Sequence, residues 1–251
     1  MQILLADAKL MHASATAGAE LPTPQFEAQA SLLAAEMARM NADELQRLMG
    51  CGAAAAEEAR LRYARFATAS RLPAVMAYNG QAYKHLRANT LDVPTLQYAQ
   101  QRLWITSFLY GLLRPLDAIA PYRMEATVKL DATADRPIGH FWRDLLTEAL
   151  IAALQADDGI LLHLSTAEYQ QLFHWQQVEQ QCTVVQPLFY VETAGRLKVQ
   201  AVWAKTCRGA MTRWLLDNRI NSPADLAAFQ YEGFTFAPGY GDSAHPYFIR
   251  H

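Results

Sequence analysis

The segment from Tyr110 to Glu125 gathers two arginines and two carboxylates in one stiff loop. Arg114 and Arg123 carry guanidinium groups, which can bind a phosphate or a carboxylate through two parallel hydrogen bonds. Two prolines restrict the backbone of this segment and so fix the directions of the arginine side chains. Asp117 and Glu125 can instead neutralise the arginines in internal ion pairs. The segment therefore predicts either an anion site or a set of structural salt bridges.

A second cationic group occurs between Trp203 and Arg213. We expect a strand that delivers Lys205 at its end, followed by a helix that begins with Arg208 and Gly209. Cations beside a helix N-terminus are unfavourable to the helix dipole unless an anion joins them. This cost indicates a bound anion near Lys205 and Arg208.

Residues 41–66 contain the pattern of a helix-hairpin-helix, with Gly50 and Gly52 at the turn. Two glycines allow a sharp turn and leave backbone amides uncovered at the start of the second helix. A phosphate can bind such amides without any base being read. The alternative is an ordinary helix–turn–helix corner, in which the glycines only permit close packing.

Four further side chains have both a functional and a structural interpretation. Lys9 follows a predicted strand, where it either faces a cleft or is simply solvated. Tyr78 and Lys84 lie around a predicted turn, and the aromatic ring either stacks on bases or packs internally. Glu168 is the third position of a capping box that begins at Ser165.

The elements that must position these residues are helices and strands that interleave without a regular βαβ rhythm. We therefore predict an irregular α+β fold, with a central sheet in a single domain over residues 1–251, rather than a doubly wound fold. Strands are predicted at 3–5, 160–164, 184–191 and 197–204, the last two joined by a turn at Gly195. Helices are predicted at 24–40, within 41–66, from 92 to about 111, at 141–155 and at 208–218.

Composition excludes several classes of protein. The net charge is −2, so any polyanion site must be a local basic patch on an acidic remainder. The seven histidines have no metal-ligand spacing, and the chain has no phosphate-binding or dinucleotide motif, so we predict neither metal nor cofactor. The first residues lack a basic region and no apolar run is long enough to span a membrane, so we expect a cytoplasmic protein. Three distant cysteines agree with a reducing compartment.

Taken together, these segments resemble the YaaA family, also catalogued as UPF0246, over nearly the whole chain. The most specific block is Leu109-Tyr110-Gly111-Leu112-Leu113-Arg114-Pro115-Leu116-Asp117. Other matching blocks are Ala8-Lys9, Tyr78-Asn79-Gly80 with Tyr83, Pro121 to Glu125, Phe141-Trp142, Leu164-Ser165 with Glu168-Tyr169, Ala204-Lys205 with Arg208-Gly209, and Gly233 to Phe236. The family's opening Ser-Pro-Ala-Lys is Ala6-Asp7-Ala8-Lys9 here, which places an acid beside the lysine.

The resemblance implies a bacterial cytosolic protein that protects against hydrogen peroxide by lowering free iron and sparing DNA. It also implies a positively charged cleft and a DNA-binding helix-hairpin-helix that turns at Gly50 and Gly52. The cleft cations implied by matching motifs are Lys9, Lys84, Arg114, Arg123, Lys205 and Arg208.

Two functions are consistent with these residues. In the first, which we prefer, the chain binds DNA non-specifically through the cleft and the hairpin and is not an enzyme. In the second, the same arginines and lysines hold a small anionic substrate, such as a nucleotide or metabolite, while Glu125, Asp117 or Glu168 serves as acid or base. Direct reduction of peroxide by cysteine is disfavoured because no cysteine has a resolving partner nearby, although Arg208 is expected to lower the pKa of Cys207.

Overall fold

A computed structural model of the chain describes residues 1–12 and 21–251. The strands within these residues are β1 Gln2–Ala6, β2 Leu72–Pro73, β3 Leu103–Ser107, β4 Gly111–Leu113, β5 Ala118–Ile119, β6 Ile160–Leu164, β7 Thr183–Val185, β8 Leu188–Thr193, β9 Arg196–Lys198, β10 Gln230–Tyr231, β11 Phe234–Gly241 and β12 Pro246–Arg250. The α-helices are α1 Glu27–Met37, α2 Ala42–Met49, α3 Ala53–Ala64, α4 Ala74–Ala77, α5 Gln81–Leu86, α6 Val93–Arg102, α7 Ile138–Gln155, α8 Ala167–Gln170, α9 Trp175–Gln181 and α10 Ala201–Asp217. The predicted α+β class is confirmed.

The central sheet has the strand order β4-β3-β1-β6-β7. The first strand lies in the middle, parallel to both of its neighbours, with Ile3 opposite Leu103 and Leu5 opposite Leu164. The carboxyl ends of β1, β3 and β6 therefore meet at one edge of the sheet. The chain passes from β1 to β3 on one side and later to β6 on the other, so this edge is a topological switch point.

Strand β3 corrects one prediction. The apolar spacing of Leu96, Ala99 and Leu103 predicted a helix running to about residue 111, but α6 ends at Arg102 and β3 begins at Leu103. Every residue of β3 is buried because it pairs with β1 on one side and β4 on the other. A strand buried on both faces has no polar alternation to distinguish it from a buried helical turn.

A second sheet, of order β10-β11-β12-β8-β9, corrects another prediction. The predicted hairpin turn at Gly195 is confirmed, and this glycine has a positive φ of 71°. The second strand of the hairpin ends at Lys198, however, and α10 begins at Ala201. Lys205 therefore lies in the second turn of a helix rather than at a strand end, and Arg208 lies one turn further on.

The two helices within residues 41–66 are α2 and α3. The side chain of Asn41 accepts a hydrogen bond from the Glu44 amide, and the Glu44 carboxylate accepts one from the Asn41 amide. Gly50 ends α2 in the left-handed conformation, with a φ of 58°, and Gly52 is the N-cap of α3. A Cβ at either glycine would meet no atom within 4 Å, so close packing does not require them.

We expect Asn41→Ala to destabilise the fold by about 1 kcal/mol, because it leaves helix amides without an acceptor. For a chain of this length the melting temperature should fall by about 2–4 °C. Asn221→Ala is the matched control, since Asn221 is exposed and precedes no α-helix. Equal melting temperatures for the two variants, by circular dichroism, would contradict a stabilising role for the cap.

Within residues 1–12 and 21–251, no helix is both long and apolar enough to cross a bilayer. The buried apolar side chains form one contiguous cluster, which includes the strands of both sheets. Helix α7 packs against it through Trp142, whose indole donates a hydrogen bond to the Phe108 carbonyl over 2.9 Å.

Candidate functional site

A pocket of about 290 Å³ lies at the carboxyl edge of the central sheet. Its walls are the residues that follow β1 and β6, the start of α5 and the second and third turns of α10. The charged residues that line it are Asp7, Lys9, Glu168, Lys205 and Arg208. This is where ligands bind in open sheets with parallel strands.

Asp7 follows β1 directly and is held by two phenols. Tyr122 donates a hydrogen bond of 2.6 Å to one carboxylate oxygen, and Tyr169 donates to the other. Burial raises the pKa of Asp7 from 3.8 to about 6. The hydrogen bonds from Tyr122 and Tyr169 lower this pKa, while the negative charges of Glu168 and Glu125 raise it. The carboxyl group thus titrates near neutral pH.

Behind Asp7 the hydroxyl groups form a buried network. The Tyr122 hydroxyl lies 2.6 Å from the Ser107 hydroxyl and 2.9 Å from the Tyr78 hydroxyl. Tyr78 is only 2% exposed, and its neighbour Tyr83 donates to the Ala6 carbonyl. The position of Tyr78 therefore does not agree with the predicted stacking on bases. This side chain supports the structure of the Asp7 site instead.

Glu125 holds two of the predicted cations. It forms ion pairs with Lys9 and, over 2.7 Å, with Arg123. The carboxylate is mostly buried, whereas the Lys9 side chain is 54% exposed at the pocket mouth. The structure therefore supports the salt-bridge alternative for Arg123. Glu125 lies between the two cations and pairs with both.

Lys205 and Arg208 lie three residues apart on α10, so both reach the same side of the pocket. No side-chain hydrogen bond or ion pair joins either of them to any residue that the structure describes. Burial lowers the pKa of Arg208, whose guanidinium is largely enclosed. His163 of β6 lies nearby, and burial together with the charge of Arg208 lowers its pKa to about 3. The histidine is therefore neutral. Two cations without a partner in residues 1–12 and 21–251 face the pocket.

Helix α5, whose first residues also line the pocket, lies very close to α10. Gln81 donates a hydrogen bond of 2.8 Å to the Thr206 hydroxyl on α10. A Cβ at Gly209 would lie 1.8 Å from the carbonyl oxygen of Ala82, so only glycine permits this approach. The glycine beside Arg208 thus allows α5 to lie directly against α10.

Arg114 and Asp117 lie elsewhere. Because β4 runs antiparallel to β3, it returns the chain to the opposite edge of the sheet. Arg114 stacks there on Trp104, with its guanidinium carbon 3.3 Å from the ring centroid. Its backbone N–H donates to the Asp117 carboxylate over 2.8 Å, and burial raises the pKa of Asp117 to about 6. Neither residue lines the pocket. This corrects the prediction that Arg114 is a cleft cation and that Asp117 serves beside it as acid or base.

The remaining predicted residues lie around the pocket. Glu168 is exposed at its rim, but the cap of its short helix is Thr166. The predicted cap residue, Ser165, is fully buried and lies 3.3 Å from the Thr106 hydroxyl. Lys84 is exposed on α5, beside a neighbouring recess of about 200 Å³.

Helix α3 connects the Gly50–Gly52 turn to the pocket. At its carboxyl end, Arg62 donates to the Tyr122 carbonyl over 2.9 Å and Tyr63 donates to the Arg123 carbonyl. The loop that positions Tyr122 and Glu125 is therefore fixed by this helix.

The thiol of Cys207 is not activated by the arginine beside it. Cys207 is buried, and burial raises the pKa of its thiol to about 12, although Arg208 lowers it slightly. The lowered pKa expected from the neighbouring arginine is therefore wrong, since desolvation outweighs the charge. Across the described ranges, no three His, Cys, Asp or Glu side chains are grouped as metal ligands would be.

The sequence did not reveal that Asp7 lies between the phenols of Tyr122 and Tyr169. Asp7 was visible as an acid near Lys9, and Tyr169 as a phenol near Glu168. Their convergence with Tyr122 depends on parallel pairing between strands that are far apart in the chain, and no local pattern reports it.

Comparison with known proteins agrees with the resemblance. The family described as "Peroxide stress protein YaaA" matches residues 1–239. A UPF0246 protein of Phocaeicola vulgatus is 41% identical over 225 residues, which cover 89% of this chain and 88% of that protein. A UPF0246 protein of Bacteroides thetaiotaomicron is 38% identical over 252 residues, covering 99% and 98% of the two chains. A relative of the same name in Cereibacter sphaeroides is 36% identical over 230 residues, with 90% and 89% covered. The chain belongs to the YaaA family of peroxide stress proteins.

Proposed function

We propose that this chain acts in the peroxide stress response by binding DNA non-specifically and thereby limits iron-driven oxidative damage. Membership of the YaaA family supports the stress role. The observation that carries the DNA contact is the pair of cations on α10, Lys205 and Arg208, which have no partner among the described residues. Unpaired cations on one face are what a phosphate backbone requires.

The position of the hairpin relative to the pocket supports a shared DNA surface. Gly52 begins α3, and the far end of α3 contacts the loop beside the pocket through Arg62 and Tyr63. Twelve residues of helix span about 18 Å. That length corresponds to about five phosphates at 3.4 Å each along one strand. The uncovered amides at the start of α3 therefore lie about five phosphates away from the loop beside the pocket.

The test is binding of a labelled duplex by fluorescence anisotropy between about 50 and 200 mM salt. We expect Lys205→Glu to weaken binding to all sequences alike and to lower the slope of log affinity against log salt by about 1. Lys198→Glu is the matched control, because Lys198 is an exposed lysine on β9 outside the pocket.

Arg114→Gln should leave the salt slope unchanged, since Arg114 packs on Trp104 at the other sheet edge. The absence of salt-sensitive binding, or equal effects of Lys205→Glu and Lys198→Glu, would contradict the DNA assignment.

The enclosed shape of the pocket favours a second candidate, an enzyme that acts on a small anionic substrate. Its walls surround a space of about 290 Å³, which is close to the size of a small-molecule site. In this function, Lys205 and Arg208 hold the anion, and the acid or base is a carboxyl group inside the pocket.

A further inference from the structure

The size of the pocket limits what it can hold. A space of about 290 Å³ lies close to the lower end of the range of small-molecule sites, which is about 300–1,000 Å³. The pocket therefore suits a small ligand.

The lining is asymmetric. The cations Lys205 and Arg208 lie on α10, while the strand ends and α5 contribute apolar and aromatic atoms such as those of Leu5, Leu164 and Tyr83. Lys9 is already paired with Glu125 and adds little net charge. The lining therefore suits a molecule with one anionic group, bound at α10, and a less polar remainder directed towards the strand ends.

Asp7 lies at those strand ends. Both of its carboxylate oxygens accept hydrogen bonds from phenols, which fixes the orientation of the carboxyl group. Its hydrogen-bond partner Tyr122 also contacts the Ser107 and Tyr78 hydroxyls, so the network can reorient its hydroxyl protons when Asp7 gains or loses one.

We propose that Asp7 is a proton-transferring residue for a small ligand whose single phosphate, sulfate or carboxylate group is held by Lys205 and Arg208. The Asp7 carboxylate accepts a proton from an O–H, N–H or acidic C–H group of the ligand. The resulting carboxylic acid returns the proton to the product, so the protein ends the cycle unchanged. This inference rests on the second candidate function, the small-anion enzyme, and is independent of DNA binding.

The electrostatic surroundings agree with this role. Tyr122 and Tyr169 favour the carboxylate, whereas Glu168 and Glu125 oppose it. The cations Lys9, Lys205 and Arg208 line the same pocket. The phenols of Tyr78 and Tyr83 lie near Asp7. Burial prevails and places the pKa of Asp7 at about 6, close enough to neutral pH for the group both to accept and to release a proton.

The test uses sulfate, whose charge does not change between pH 5 and 8, in calorimetric titrations at pH 6.5. Repeating each titration in buffers of different ionisation enthalpy measures the protons taken up on binding. A second negative charge near Asp7 should raise the affinity of its carboxyl group for a proton. A carboxyl group with a pKa of about 6 is already about one-quarter protonated at pH 6.5, so we expect an uptake of up to about 0.8 proton. Asp7→Asn should bind sulfate at least as tightly and lose this uptake.

Variants at the other positions separate anion binding from proton transfer. Lys205→Gln and Arg208→Gln should each weaken sulfate binding about tenfold, since each removes a charge-assisted hydrogen bond. Lys198→Gln is the control. Tyr169→Phe should move the proton uptake to higher pH, because it removes a hydrogen bond to the carboxylate. Far-ultraviolet circular dichroism verifies that every variant is folded.

Two results would overturn the inference. The first is no sulfate binding at millimolar concentration, and the second is the same proton uptake in the Asp7→Asn variant as in the unmodified chain. DNA anisotropy on these variants keeps the two functions distinct, since Asp7→Asn should not reduce DNA affinity. If the sulfate experiment fails while DNA binding is intact, only the small-anion enzyme function is contradicted.

Discussion

Gly209→Ala is expected to destabilise the fold by about 3 kcal/mol or more, although glycine to alanine inside a helix normally stabilises by about 1 kcal/mol. The added Cβ would lie 1.8 Å from the Ala82 carbonyl oxygen, and a backbone atom cannot rotate away as a side chain can. Helix α5 must therefore move away from α10. The melting temperature should fall by about 6–12 °C, as measured by calorimetry.

The control for this variant is Gly52→Ala. Gly52 has a negative φ, and a Cβ there meets nothing within 4 Å, so its effect should stay below about 1 kcal/mol. The shift of α5 should also separate Gln81 from Thr206 and widen the pocket. A Gly209→Ala variant as stable as the unmodified chain would show that the helix contact is looser than the structure describes.

Asp7→Asn is expected to stabilise the fold at pH 7.5 by about 2–3 kcal/mol, and to have little effect at pH 4. The pKa of Asp7 is 3.8 in its ordinary state and about 6 in the fold. Between these values the folded chain keeps a proton that the unfolded chain has lost. The free energy of unfolding therefore falls as pH rises through this window, by about 1.4 kcal/mol per unit of pKa difference. Asparagine cannot ionise, so it does not have this pH-dependent cost in free energy.

Thermal unfolding of both chains between pH 4 and 7.5 measures this difference. The melting temperature of Asp7→Asn should exceed that of the unmodified chain by about 5 °C or more at the upper end. Asp43→Asn is the control, because Asp43 is an exposed aspartate on α2 that lies outside the pocket. A gap that does not widen with pH would mean that Asp7 is not held in a costly environment. A buried carboxyl group that weakens the fold is typical of functional sites.

Local signals predicted the parts of the fold that depend on local chemistry. The predicted helix starts near residues 41 and 92 coincide with side chains that accept a hydrogen bond from a helix amide within one turn. The buried strand at Ile160–Leu164 and the turn at Gly195 were likewise predicted from local patterns.

Other elements are determined by distant contacts. Helix α6 passes into β3 at Leu103 without a proline or glycine, so only the pairing with β1 determines where the helix ends. Val199, Val202 and Trp203 favour a strand locally, but the contact between Gly209 and α5 places this segment in a helix. Lys205 and Arg208 were predicted at a strand end and a helix start, whereas both lie on α10 and line the pocket.

The site itself was predicted only in part. The cations of matching motifs were identified, but their partners were not, so Arg114 was placed with Lys205 although the two lie at different edges of the sheet. Charge and residue type identify the groups that can bind an anion. The direction of each strand, which decides where the groups meet, is a property of the whole sheet.

The central position of β1 has a consequence for how the chain is made. Gln2 pairs with Leu161, so the first strand cannot complete its pairing until about 160 residues have left the ribosome. At 5–20 residues per second this takes about 8–32 s. Until then the edge of this apolar strand that faces β6 stays unpaired, and the Asp7 pocket is incomplete. We therefore expect the nascent chain to be a substrate for chaperones, and its ligand site to form only after α10 has been synthesised.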